Sequence, residues 1–239
     1  MLDLSAVTLA ATVAPLAAYA VAFQTLLYVS LPSRLRTRIA PLVTGVIGAG
    51  LALGAAVLFG FETVGLAGGE PLTAVAWGGA TVLAVTGVGL AMLCRADLRA
   101  WLADQPLGSF ENGHAAVEIF VRIPLFTALI EEAFFRGVLH AALMALYPVE
   151  VAIWLGAGLF GLWHIGPGLD QARGGEGSAG SRALHTAVTV VATTAAGAFL
   201  VWLRVETGSI WAPVAVHAAV NMTMASFVRL ASQRRVAVA

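Results

Sequence analysis

The chain has no lysine, a single cysteine and little charge of either sign. Each scarcity excludes something. Cys94 alone cannot form an intrachain disulfide, and it reads as a small apolar residue near a helix end. All 13 basic residues are arginine, a bias we read as one of coding, in keeping with a compact bacterial chain. The formal net charge is zero, so no overall basic excess points to nucleic acid. Charged residues make up 11% of the chain, where a soluble domain carries about 25%. The N-terminal "MLDLSAVTLAA" lacks a basic region ahead of its apolar run, so it reads as a retained span rather than a cleaved signal.

What is present is apolar length. Hydrophobic residues account for 59% of 239, and the mean hydropathy is +0.89. A membrane-spanning helix needs about 20 mainly apolar residues. Seven segments qualify: 6–31, 42–66, 72–94, 124–147, 149–166, 184–203 and 209–229. The expected fold is therefore all-α, a polytopic transmembrane helix bundle of about seven spans plus an interfacial helix. Its expected organisation is a set of motif-free spans over 1–98, an interfacial segment over 99–123 and a core over 124–239. Pro124 is expected in the first turn of the fourth span, where its missing N–H does no harm. The polar stretch 168–182, "GLDQARGGEGSAGSR", is expected as a flexible loop.

Arginine also predicts orientation. Arg34, Arg36 and Arg38 follow the first span, Arg95 and Arg99 the third, Arg173 and Arg182 the fifth, and Arg229, Arg234 and Arg235 the seventh. If seven spans alternate, all lie on one side, cytoplasmic by the positive-inside rule. The N-terminus is then outside and the C-terminus inside a cell membrane.

Against this apolar background, "LIEEAFFRGVLH" (129–140) stands out. A charge at the centre of a membrane helix costs about 2.5–3.5 kcal/mol on insertion scales. Glu132 and Arg136 are four apart, on one helix face, and can pair. Glu131 is turned away by about 100° on an α-helix. A carboxylate with no cation on its own face of an apolar helix suits general acid–base work. The plainer alternative is a structural ion-pair network between helices. His164 in "LFGLWHIGPG", four residues after Phe160, and the pair His217 and Asn221 in "GSIWAPVAVHAAVN" add polar groups on two further spans. Such groups together can bind a metal or activate a water. His114, His140 and His185 are expected at the interface. Intramembrane ionisable groups also mark ion and proton paths, so a proton- or ion-coupled transporter is an alternative, although no inverted repeat is visible.

The order EExxxR (Glu131, Glu132, Arg136), FxxxH (Phe160, His164), HxxxN (His217, Asn221), each on its own hydrophobic segment, resembles the CPBP family of intramembrane proteases. That family includes CAAX prenyl endopeptidases and bacterial Abi-like proteins linked to bacteriocin processing or self-immunity. The resemblance covers about residues 120–225 and implies an endopeptidase acting on a membrane-associated peptide or protein. It implies that Glu131 and His164 polarise a water, that Glu132 pairs with Arg136, and that His217 and Asn221 donate to the oxyanion. The family is often labelled metalloprotease. Glu131, His164 and His217 could hold Zn(2+) with an open position for water, or the same side chains could work with no cofactor. A non-catalytic scaffold of the same family remains an alternative.

Overall fold

A computed structural model describes residue 8 and residues 11–105, 107, 112–173 and 178–236. The described residues are mainly helical, with no strand among them, and the fold is an all-α polytopic bundle. Seven helices are long and apolar enough to cross a membrane: Val13–Ser30, Leu42–Phe59, Pro71–Cys94, Gly113–Met144, Val149–Ala172, Ala179–Thr207 and Trp211–Arg234. This is a multi-pass membrane protein.

Several boundaries differ from the sequence expectation. The fourth span begins at Gly113 rather than at 124. Pro124 therefore lies inside the helix, not in its first turn. Residues Glu118–Leu129 are wound as a π-type helix. Its i→i+5 bonding shifts hydrogen-bond partners by one residue, so the missing N–H and the ring are accommodated without ending the helix. The segment expected to be interfacial is shared between a short helix, Ala96–Ala103, and the start of the fourth span. The stretch 168–182 is mostly helical: Ile165–Arg173 continues the fifth span, and the sixth begins at Ala179. Ser178 starts that helix, its side-chain oxygen accepting from the Ser181 N–H at 3.2 Å, a standard N-cap contact. Residues 174–177 lie outside the described residues.

The chain divides into two compact units, Met1–Gly69 with Ile130–Ile210, and Glu70–Leu129 with Trp211–Ala239. In the first, the fifth and sixth spans approach closely because small residues line their contact. A Cβ on Gly161 would overlap Thr194, and one on Gly197 would sit 3.0 Å from the Phe160 ring. The connection after the second span turns on Gly65, at φ +70, a conformation only glycine adopts freely. Gly65 accepts a bond from the Ile210 N–H at 3.0 Å, and the Arg204 guanidinium packs directly on it. One residue earlier, the Val64 carbonyl lies 3.0 Å from where a Cβ on Gly137 would be. The loop thus covers one end of the fourth span.

In the second unit the third and seventh spans pack through Gly89, whose bare backbone receives the Phe227 ring. Leu93, Leu102, Phe227, Val228 and Ala231 form its buried core. Arg95 holds Asp97 in an exposed ion pair at 2.9 Å. That pair keeps the Asp97 carboxyl below the usual carboxylate range.

Candidate active site

Glu132, Arg136, Phe160 and His164 form one connected chain of contacts. Arg136 Nε lies 3.1 Å from Glu132 Oε2, and both side chains are fully buried. The guanidinium also donates from Nη2 to the Gly197 carbonyl at 3.3 Å. Its Cζ stands 4.1 Å from the centre of the Phe160 ring. A cation held over a ring in a dry site is worth about 2 kcal/mol or more. The charge of Arg136 is therefore met by a carboxylate, a backbone carbonyl and an aromatic face. The glycine at 197 is what lets that carbonyl come so near, since any side chain there would strike Phe160 or Ala157.

The helix around the motif is not a uniform α-helix. Ile130–Glu132 is α-helical, while Ala133–Leu139 is π-type. Such widened turns recur at functional sites. The Glu132–Arg136 pair survives the change because both windings return to the same face after about one turn. Glu131 is half-buried, in contrast to the sealed Glu132. Arg136 is within electrostatic reach of both carboxylates, more strongly of Glu132.

Phe160 uses a second group as well as its ring. Its backbone carbonyl lies 2.8 Å from His164 Nδ1, and the two rings meet edge to face at 4.7 Å between centres. His164 sits at the break between Val149–Trp163 and Ile165–Arg173, with φ −85 and ψ 1. The imidazole is half-buried. A carbonyl only accepts, so Nδ1 carries the proton and Nε2 is left as an acceptor.

His217 and Asn221 belong to the second unit. They lie four residues apart on the helix Trp211–Val236, and both are half-buried. Among the described residues, no three His, Cys, Asp or Glu side chains gather as a metal-binding group.

Of the histidines expected at the interface, His114 and His185 are exposed. His140 is not: it is 6% exposed, packed inside the first unit. The loop after the second span lies on Gly137, one turn away. No pattern in the sequence announces that cover. Tyr19 carried no signal either: its ring packs on Phe134 at 5.1 Å and on Trp163, the residue before His164, at 5.7 Å. A lone tyrosine in an apolar span carries no signal until the neighbouring spans are in place.

Residues 114–223 match the Rce1-like family, described as type II CAAX prenyl endopeptidase Rce1-like. All the motif residues fall within that segment. That match supports membership of the CPBP family of intramembrane proteases. No curated protein and no solved structure matches the chain.

Proposed function

We propose that this chain is an intramembrane endopeptidase that hydrolyses a peptide bond of a membrane-associated peptide or protein with a water activated by Glu131 and His164. The observation that carries this reading is the division of labour between adjacent carboxylates. Glu132 is sealed against Arg136 with no exposed surface, while Glu131 is half-buried and keeps some exposed surface. A base must touch the proton it takes, and only one of the two glutamates meets that condition.

The steps follow from the side chains. A water donates one hydrogen bond to His164 Nε2, the nitrogen that accepts when Nδ1 donates to the Phe160 carbonyl. Glu131 takes the second proton as the water oxygen attacks the peptide carbonyl carbon. The negative charge moves to the carbonyl oxygen, where hydrogen-bond donors stabilise it, a contribution that is usually large. The C–N bond then breaks, and Glu131 returns its proton to the leaving amine. Glu132 and Arg136 do no chemistry in this scheme. They fix the helix that presents Glu131.

The family match supports the class of reaction, and the oxyanion roles of His217 and Asn221 rest on their places in the HxxxN motif. The arginine distribution supports an N-terminus outside and a C-terminus in the cytoplasm. The test is cleavage by the full chain in detergent, offered a farnesylated peptide ending in C-a-a-X and its unprenylated counterpart. Cleavage of either that is lost on Glu131→Gln supports the reading. A folded parent that cleaves neither peptide nor a membrane-protein panel contradicts it.

A further inference from the structure

The first span lies outside the family-matched segment, and no motif falls on it. Two of its tyrosines nonetheless pack on the motif-bearing spans. Tyr19 opens a π-type turn, Tyr19–Phe23, within the span. Its ring contacts Trp163, the residue before His164, and Phe134, three residues beyond Glu131. Its hydroxyl donates to the Thr44 carbonyl of the second span at 2.9 Å, which stops the ring from rotating away. Further along the same span, Tyr28 lies on Gly166, two residues after His164. A Cβ on Gly166 would stand 3.0 Å from Tyr28 Cβ and 3.1 Å from Cγ.

His164 is thus bracketed. It occupies the break between two helices, where regular i→i+4 bonding alone does not fix how the two pieces meet. One tyrosine of the first span packs on the piece before the break, and another on the piece after it. We propose that the first span is a positioning element for His164, with Tyr19 and Tyr28 as the positioning residues that keep Nδ1 on the Phe160 carbonyl and Nε2 turned to the water. Its consequence for turnover rests on the proteolytic reading above. Its structural content does not.

The test reads the histidine directly. The full chain is labelled with 15N at histidine, and the His164 signals are assigned by their loss in His164→Gln. The parent shows protonated Nδ1 and unprotonated Nε2. In Tyr19→Leu and in Tyr28→Ala, the two nitrogens move toward the averaged shifts of exchanging tautomers. Tyr28→Phe restores the parent spectrum, because the ring does the packing. Gly166→Ala presses Tyr28 off from the other side and produces the same averaging with both tyrosines intact, so the idea stays testable even if a tyrosine variant does not fold. Turnover of a cleaved peptide falls by roughly 10–100-fold in kcat with KM within about twofold, since misplacing a reacting group by about 1 Å costs on that order. Unchanged His164 signals in the folded variants overturn the proposal. If the signals average as expected but the parent cleaves nothing, the positioning role stands and the proteolytic reading fails.

Discussion

Arg136 lies face-on to the Phe160 ring, 4.1 Å from its centre, while the Phe160 carbonyl holds His164 Nδ1 at 2.8 Å. One residue of the FxxxH motif therefore serves two others by different parts of itself. The ring serves the buried cation, and the backbone serves the histidine. These roles separate on mutation. Phe160→Leu removes the ring and keeps the carbonyl. It is expected to lower stability by about 2 kcal/mol while the His164 nitrogens keep their parent 15N shifts. A change of tautomer in that variant would show that the ring, not the carbonyl, orients the histidine.

Arg136→Ala leaves Glu132 buried without its cation. Breaking a buried pair by removing one partner costs about 3–5 kcal/mol. The expected result is a much lower yield of folded protein in detergent and a lower melting temperature, with activity lost as a consequence. Arg136→Lys is expected to recover little, because an ammonium cannot span Glu132, the Gly197 carbonyl and the Phe160 face as a planar guanidinium does. A variant lacking Arg136 that melts with the parent and is merely inactive would give the arginine a direct chemical role.

Gly197→Leu tests the same network from the sixth span. The new side chain meets the Phe160 ring and the Ala157 backbone, so the spans must separate and the Arg136 contact to the Gly197 carbonyl must lengthen. Overpacking of this kind costs about 1–3 kcal/mol. Melting measurements check it, and a neutral result would mean that the sixth span is free to slide.

Chelation separates the two chemistries open to this donor set. With a Glu/His-activated water, prolonged exposure to a zinc chelator followed by its removal leaves peptide cleavage within about twofold of the untreated enzyme. Loss of cleavage that returns on adding Zn(2+) would instead require a metal among Glu131, His164 and His217.

Much of the fold was legible because it rests on composition. An apolar run of span length is visible residue by residue, and seven runs are found as seven helices. Boundaries were less legible where winding departs from the α-helix. Pro124 reads as a helix start only if the helix cannot absorb it, and the π-type turn over Glu118–Leu129 absorbs it. The candidate site was legible as residue types at helical spacing: Glu132 and Arg136, four apart, stand within 3.1 Å. What spacing could not show is set by tertiary contact. His140 is buried, and a loop some seventy residues earlier lies on Gly137 one turn away. Tyr19 matters only through Trp163 and Phe134. Neither relation leaves a local pattern.

The most direct test of the central claim compares Glu131→Gln with Glu132→Gln in the same detergent, scoring thermal melting and peptide cleavage for each. An amide replaces either carboxylate with little change of shape. Glu131→Gln is expected to melt with the parent and to lose cleavage by about 10²–10⁴-fold or more, the usual weight of a general base. Glu132→Gln is expected to melt lower, because Arg136 loses its counter-charge. A well-folded Glu131→Gln protein that still cleaves at the parental rate would contradict the account and move the base to Glu132.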